Sequence, residues 1–260
     1  MDLPKNEFKR RLQAGELQYG LWLGLPDTTA AEICALAGFD WLVIDAEHAP
    51  FDLRSVMAHL QALAPYESSP IVRPPIGDPV LLKQLLDIGA QTFLVPMVET
   101  AAQAESLAAA VRYPPQGVRG IGTSLARAAR WNQVPGYLAR ANEEICLIVQ
   151  AETIKALENL PDIARVDGVD AVFIGPSDLA ASMGHIGDVA HPDVVAAVSA
   201  ALATIRAAGK AAGLLALTPD VVSRYVADGA TFIGVGVDTL CLANATKKVA
   251  DRFVKSADAG

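Results

Sequence analysis

The sequence is poor in the residues that build disulfide frameworks and structural zinc sites. Among its 260 residues are three cysteines, Cys34, Cys146 and Cys241, which are widely spaced and form no CxxC pair. An odd number of isolated cysteines argues against a disulfide scaffold or a zinc knuckle. The pattern instead predicts reduced thiols, buried in the core of a cytoplasmic protein.

Long apolar runs and an excess of basic residues are also missing. No run reaches the roughly 18 apolar residues of a membrane span, and the charged N-terminal segment lacks the apolar stretch of a signal peptide. The 21 basic and 29 acidic residues give a formal charge of −8, which disfavours binding to nucleic acid through a basic surface. We therefore expect neither a membrane nor a nucleic acid as a partner. Hydrophobic residues make up 52% of the chain, which is enough for a large core.

Short apolar runs alternate with longer segments that are rich in alanine and leucine. Each run is nearly continuous in apolar residues, as is typical of a strand buried on both faces of a parallel sheet. The predicted strands are Tyr19–Leu23, Trp41–Asp45, Ile71–Arg73, Thr92–Met97, Ile145–Gln150, Ala171–Ile174, Gly213–Leu217 and Phe232–Val237.

Six of the intervening helices have recognisable ends. They begin after capping residues such as Asp27 and Asp78, and several stop at glycines such as Gly38 and Gly89. The predicted helices are Thr28–Ala37, Leu53–Leu63, Pro79–Ile88, Ala101–Arg112, Pro192–Ala208 and Pro219–Ala227.

Eight strand–helix units predict a single domain over residues 1–260, folded as a (β/α)8 TIM barrel, which typically needs about 250 residues. An open doubly wound sheet is less favoured, because the segment GLWLGLPD at the first strand is not a GxGxxG phosphate loop. The segment 112–135 is long for a connection, as functional or interface loops often are. The amphipathic tail after Asp238 is either the eighth barrel helix or a helix that packs on a neighbouring subunit.

Polar side chains follow the predicted strands at their carboxyl ends, where barrel enzymes carry their chemistry. His48 belongs to the segment DAEH after the second strand, and Arg73 ends the third. Glu152 and Asp178 follow the adjacent fifth and sixth strands, and Gln150 ends the fifth. Two converging carboxylates would suit Mg²⁺ or Mn²⁺ and would tolerate Co²⁺ or Zn²⁺. Helix capping by either carboxylate, and structural roles for His48 and Arg73, are the alternatives.

No predicted strand carries a lysine at its carboxyl end. Lys83 and Lys155 lie in helical segments, and Lys210 precedes its strand, at the opposite end of the barrel. A Schiff-base aldolase needs such a lysine. Carbanion chemistry in this barrel would therefore depend on a metal ion.

These motifs, taken in order, resemble those of the 4-hydroxy-2-oxoheptane-1,7-dioate aldolase family, the HpcH/HpaI aldolase/citrate lyase group. The resemblance extends roughly from Phe8 to Phe253. It rests on the segments GLWLGLPD, GFDWLVIDAEHAP, VRP, TFLVPMVET, RYPPQGVRGIG, QAET and VFIGPSDLAASMG. It implies a metal-dependent, class II aldolase that joins or cleaves a 2-oxo acid, such as pyruvate or hydroxypyruvate, and an aldehyde.

The resemblance also implies where the metal ion and the 2-oxo acid bind. Glu152 and Asp178 match the carboxylates that hold the divalent metal, and Asp178 is also placed next to the substrate. The substrate is contacted by the residue that matches Gln150 and by the backbone at the position of Ser177.

Three further residues match catalytic positions of the family. His48 matches the general base, and Arg73 matches the residue that stabilises the enolate. Asp87 matches the carboxylate paired with that histidine, although it lies late in the predicted helix Pro79–Ile88, away from the barrel mouth.

The family further implies a homo-hexamer, a dimer of trimers in which the C-terminal helix is exchanged between subunits. The segment 119–131 would then border a neighbour's site. Trp22 and Leu217 are candidates for the wall of the aldehyde pocket, with burial in the barrel core as the alternative. The sequence does not identify the aldehyde.

Three other functions remain open at the level of sequence. A citryl- or malyl-CoA-type lyase would need a basic cluster for the nucleotide, for which Arg127 and Arg130 are the candidates. A non-catalytic barrel would bind a 2-oxo acid without exchanging its protons. A phosphate-binding isomerase would use the segment GVGVD at the eighth strand, a weak match to the usual phosphate site.

Overall fold

Eight parallel strands close into a barrel in which each strand pairs with the next and the eighth pairs with the first. The computed structural model describes residues 2–254. The strands are β1 Gln18–Leu23, β2 Trp41–Asp45, β3 Ser69–Arg73, β4 Thr92–Val95, β5 Cys146–Ala151, β6 Ala171–Ile174, β7 Ala211–Leu215 and β8 Phe232–Val237. The predicted (β/α)8 barrel is therefore confirmed.

The six predicted helices are all present, and five of them end one or two residues before the predicted position. The helices are α1 Glu7–Gln13, α2 Thr28–Leu36, α3 Leu53–Ala62, α4 Pro79–Asp87, α5 Ala101–Ala110, α6 Tyr137–Arg140, α7 Ile154–Glu158, α8 Leu160–Arg165, α9 Pro176–Ser182, α10 Pro192–Ala207, α11 Pro219–Ala227 and α12 Asp238–Phe253.

Aspartate caps explain where several of these helices begin. The side chains of Asp27, Asp52 and Asp78 each accept hydrogen bonds from backbone N–H groups in the first turn of α2, α3 and α4. Each bond satisfies a donor that has no partner within the helix. The local sequence thus fixes the point at which the chain turns back from the barrel mouth.

Helix α1, which was not predicted, closes the amino-terminal end of the barrel. Its Phe8 is fully buried, with ring centroids 6.2 Å from Trp41 and 5.9 Å from Phe232 inside the barrel. Glycines make room for these rings: a Cβ at Gly20 would lie 2.0 Å from the indole of Trp41. With this end filled by aromatic side chains, the open end is the mouth formed by the carboxyl ends of the strands.

Five of the predicted strands, β1, β3, β4, β5 and β7, have different bounds in the structure, and β4 and β7 each end two residues before the predicted position. Strand β4 stops at Val95 rather than at Met97, because Met97 takes a left-handed conformation with φ of 57°. Strand β7 starts earlier than predicted, at Ala211, which pairs with Ala171 of β6. As a result Leu217 lies beyond the strand, in the loop, with 52% of its surface exposed.

The segment 112–135 contains short turns and a 3-10 helix at Arg127–Ala129. The C-terminal helix α12 packs on the barrel mainly through β1 and β8, and of its residues only Asp238 is buried. Within residues 2–254, no helix combines the length and apolar character needed to cross a membrane.

Candidate active site at the barrel mouth

Arg73 is held at the end of β3 by carboxylates from β2 and the turn after it. Its Nε and Nη2 atoms donate to the two oxygens of Asp45 over 2.9 and 2.6 Å, and its Nη1 lies 2.9 Å from Glu47 Oε2. Asp45 and Arg73 are register partners on adjacent strands, so the sheet itself brings them together. The guanidinium lies over the indole of Trp22, 5.6 Å from the ring centroid. The result is a nearly buried cation with a fixed orientation.

His48 stands beside this cation on the turn that follows β2. Its side chain is 67% exposed, and its Nε2 lies 3.7 Å from Glu47 Oε2. The imidazole therefore projects into the mouth, while its backbone N–H donates to Asp45 Oδ1 over 3.3 Å. This placement agrees with the strand-end position inferred from the sequence.

Glu152 is the most deeply buried carboxylate at the mouth, with 1% of its surface exposed. Its Oε1 accepts a hydrogen bond of 2.8 Å from the backbone N–H of Met97, and its Oε2 accepts one from Gln150 Nε2. The left-handed conformation of Met97 turns this N–H towards the carboxylate. Gln150 is also buried, and its Oε1 has no partner among the described residues.

Burial raises the pKa of Glu152 to about 7, because the charged form is poorly solvated there. Hydrogen bonds from Met97 and Gln150 lower this pKa, and the negative charges of Asp178 and Glu47 raise it. The pKa of Glu47 is likewise raised by burial, although Arg73 opposes the shift. The negative charges of Glu47 and Asp178 thus add to the cost of ionising the buried Glu152.

The start of α9 completes this acidic group. Asp178 lies in the first turn of the helix, and Ser177 precedes it; both are exposed to the mouth. Gly175, just before the helix, allows close approach, because a Cβ there would lie 2.5 Å from Glu152 Oε2. Asp178 does not cap α9 through its side chain. Helix capping, which is the alternative to metal binding for Asp178, therefore does not explain the presence of this residue.

Asp87 is the one candidate that the described chain does not bring to the mouth. It is the last residue of α4, which runs from the carboxyl end of β3 back towards the other end of the barrel. Nine residues at about 1.5 Å each separate the two ends of this helix by roughly 13 Å. The Asp87 carboxylate instead accepts a hydrogen bond of 2.8 Å from the buried Arg119.

The two candidates for the aldehyde-pocket wall differ in position. Trp22 is 5% exposed and packs among Trp41 and Phe173 in the barrel interior, so it forms the floor beneath Arg73 rather than an open wall. Leu217 is half-exposed in the loop after β7, at the rim. Burial in the barrel core, the alternative to a role in the pocket wall, thus describes Trp22 better than Leu217.

Two other clusters of functional side chains lie apart from this site. His185 and His191, between α9 and α10, and Asp193, in the first turn of α10, carry potential metal ligands within 4.8 Å of one another. The two imidazoles are stacked, with centroids 3.5 Å apart and planes at 15°, so their in-plane lone pairs do not converge on one point. Arg127 donates to the carbonyls of Ile88 and Leu60, at the carboxyl-terminal ends of two barrel helices and away from the mouth.

The lysine positions agree with the sequence prediction. No strand of residues 2–254 ends in lysine. Lys155, in the first turn of α7, forms an exposed ion pair with Glu99. Lys210 donates to the Val169 carbonyl before β7, at the closed end. Lys255 lies outside the described residues.

Sequence reasoning gave no role to Asp45, Glu47 or Met97. Asp45 and Glu47 could have been found from the segment DAEH, in which two carboxylates directly precede a histidine at the end of a strand. Nothing in the sequence signals the backbone contact of Met97, because it depends on a left-handed residue facing a different strand.

Comparisons with known proteins agree with this architecture. The model of the family described as HpcH/HpaI aldolase/citrate lyase matches residues 18–245. A hydroxypyruvate/pyruvate aldolase of Pseudomonas aeruginosa is 58% identical over 100% of this chain and 97% of its own length. A 4-hydroxy-2-oxo-heptane-1,7-dioate aldolase of Escherichia coli is 53% identical over 98% of this chain and 97% of its own.

A solved structure supports the same relation. The crystal structure of a HpcH/HpaI aldolase/citrate lyase family protein from Burkholderia cenocepacia J2315 superposes with a TM-score of 0.92 at 40% identity, over 96% of this chain and 100% of that one. Fold and site define a barrel enzyme of the carbon–carbon lyase class, with acidic residues and one arginine at its mouth. The chain belongs to the HpcH/HpaI aldolase/citrate lyase family.

Proposed function

We propose that the chain catalyses the reversible aldol reaction between the enolate of a 2-oxo acid, of the pyruvate or hydroxypyruvate type, and an aldehyde. The observation that carries the proposal is the pairing of a fixed, nearly buried Arg73 with the acidic group around Glu152 at one barrel mouth. The names of the relatives in Pseudomonas aeruginosa and Escherichia coli support it. The aldehyde stays unassigned, since the rim around Leu217 is open.

The residues at the mouth fit a divalent metal ion, Mg²⁺ or Mn²⁺ in the first place and Co²⁺ or Zn²⁺ as substitutes. Glu152 and Asp178 offer hard oxygen ligands, and the hydrogen-bond donors to Glu152 among the described residues are the neutral groups of Met97 and Gln150. When bound, such an ion acts as a Lewis acid on the carbonyl of the 2-oxo acid. The stacked cluster of His185 and His191 is not part of this proposal.

The chain's own residues then bind and activate the 2-oxo acid. Gln150, which is buried beside Glu152, and the backbone at Ser177 would orient it at the mouth. The N–H groups of Arg73 would hold the enolate oxygen as charge develops there. His48, exposed in the mouth, would take the proton from C3 and return it. In cleavage the same groups act in reverse, starting from the hydroxyl at C4.

Asp87 can support His48 only across a subunit interface. Within one chain it lies at the far end of α4, where it contacts Arg119. We therefore propose that Asp87 approaches the histidine of a neighbouring copy, with the exposed loop that includes Trp131 at the same boundary. This keeps its proposed role as the carboxylate partner of the base.

We further propose a homo-hexamer, a dimer of trimers, in the cytoplasm. The cysteines are isolated in sequence, which suits a reducing compartment, although of the three only Cys146 is buried as predicted. Helix α12 exposes a stripe of apolar side chains, Leu242, Val249 and Phe253, at 53%, 55% and 81%. A stripe of this kind needs a covering surface. An exchanged helix would supply it.

Replacing Leu242 with aspartate is expected to dissociate the hexamer into smaller species, because a charge would enter a buried apolar contact. Mass measured by light scattering after size-exclusion chromatography checks this. Asn244→Asp adds the same charge about 200° around the helix and should leave the mass unchanged. A Leu242→Asp hexamer of full mass would refute the exchanged-helix contact.

Proton exchange at C3 of pyruvate, followed by NMR in D₂O, tests the function itself. We expect exchange with added Mg²⁺ or Mn²⁺, and its loss when EDTA is added, since enolate formation depends on the metal ion. A non-catalytic binding barrel would bind pyruvate without exchange. A panel of aldehydes, with acyl-CoA as a separate arm, then separates an aldolase from a CoA-type lyase. Absence of exchange with every metal ion tested would refute the proposal.

A further inference from the structure

Asp45 contacts both halves of the proposed catalytic pair. Its carboxylate is 5% exposed and accepts two hydrogen bonds from Arg73, at 2.9 and 2.6 Å. Its Oδ1 also accepts the backbone N–H groups of Glu47 and His48, at 3.0 and 3.3 Å. One buried side chain thus holds the guanidinium and closes the turn that carries the imidazole.

The contacts with Arg73 determine which of its N–H groups can face a substrate. A guanidinium has five N–H donors in one plane. Asp45 takes the edge formed by Nε and Nη2, and Glu47 lies beside Nη1. The indole of Trp22 covers one face. Because the guanidinium group is planar and rigid, its contact with Asp45 also sets the direction in which the remaining N–H groups on Nη1 and Nη2 point.

The contacts with the turn act on His48 through the backbone. The imidazole is mostly exposed, and Glu47 is the one carboxylate within 4 Å of its ring nitrogens among the described residues. Its position is set mainly by the path of residues 46–48, which the two hydrogen bonds to Asp45 fix. This arrangement is an Asx turn, in which an aspartate accepts N–H groups two and three residues ahead.

We propose that Asp45 is a positioning residue that couples Arg73 to the turn of His48, so that the oxyanion donor and the base keep one relative placement. The inference rests on the proposed function. It assigns Asp45 no contact with the substrate. The alternative is a structural ion pair that stabilises the barrel rim and has no specific effect on turnover.

Asp45→Asn separates the two roles of the carboxylate. The remaining carbonyl oxygen of asparagine can still accept the N–H groups of the turn, whereas its amide would face Arg73 donor to donor. We expect kcat to fall by about 10- to 100-fold, a fraction of the effect of losing an oxyanion donor outright. The KM for the 2-oxo acid should change much less, and C3 proton exchange should fall in parallel with kcat.

A double-mutant cycle distinguishes positioning from stabilisation. In an Arg73→Ala background, adding Asp45→Asn should lower kcat by no more than about twofold, because its effect acts through a residue already removed. Additive losses in the cycle, or full turnover of Asp45→Asn alone, would overturn the proposal. Asp170→Asn is the matched control: it also removes a charge paired with a cation, Lys9, but at the closed end of the barrel. It should leave kcat unchanged.

A crystal structure of Asp45→Asn gives an answer that does not depend on turnover. We expect the guanidinium of Arg73 to leave its present plane while the turn of residues 46–48 stays. An unmoved guanidinium would overturn the proposal, even if the wild-type chain showed no exchange with pyruvate. If the wild type exchanges the C3 protons of pyruvate and Asp45→Asn exchanges them equally fast, the positioning role is refuted and the aldolase function stands.

Discussion

Arg73→Ala is expected to lower kcat by about 10²–10³-fold, which corresponds to about 2.7–4 kcal/mol of transition-state stabilisation. The guanidinium is already oriented by Asp45 before substrate arrives, so little reorganisation is needed as the enolate oxygen gains charge. Its interaction is strongest when that charge is largest, so its loss acts mainly on kcat and less on KM. Steady-state cleavage kinetics, together with C3 exchange of pyruvate, measure both quantities.

A loss of activity in Arg73→Ala must be distinguished from a loss of folding. Removing Arg73 leaves Asp45 buried without its cation, which costs stability in its own right. Arg73→Lys keeps a charge but not the planar fork, so we expect a folded protein with reduced kcat. Arg112→Ala removes an arginine whose partner, Asp167, is fully exposed, and should leave kcat unchanged. Full turnover of a folded Arg73→Ala enzyme would contradict the role assigned to this residue.

The barrel could be predicted from the sequence because its strands are buried on both faces. Strands β2, β6 and β8 have the predicted bounds, since each is a continuous apolar run that ends at a polar residue or a glycine. Helix starts were predictable because aspartate caps such as Asp52 act locally. These features depend on a few neighbouring residues, and a single sequence contains them.

What escaped prediction depends on contacts between distant parts of the chain. Helix α1 was not predicted although Asn6 caps it locally, and its place in the fold depends on Phe8 packing against Trp41 and Phe232 inside the barrel. The clamp on Arg73 depends on the register of β2 against β3. The location of Asp87 at the end of α4 was predicted, but a sequence does not show which copy of the chain its carboxylate would meet.

The pH dependence of metal binding follows from the raised pKa of Glu152, which burial brings to about 7. A metal ion binds the ionised carboxylate, so protons compete with it. We expect the affinity for Mn²⁺ to weaken as pH falls below about 7, by up to about tenfold per pH unit for one displaced proton. Above that pH the affinity should level off. Titration calorimetry across this range measures the effect.

Glu152→Gln should abolish metal-dependent activity and also change the stability of the metal-free protein. The folded pKa of Glu152, about 7, is above its ordinary value of 4.5, so its contribution to stability is present below about pH 4.5 and is lost as pH rises through 7. Glutamine keeps a neutral side chain there at every pH. The melting temperature of the metal-free variant should therefore exceed that of the wild type at pH 8, and the difference should shrink towards pH 5.

Mn²⁺ should raise the melting temperature of the wild type at pH 8 but not that of the variant. Equal responses of the two proteins to Mn²⁺ would place the metal ion elsewhere, because a ligand stabilises only the fold that binds it.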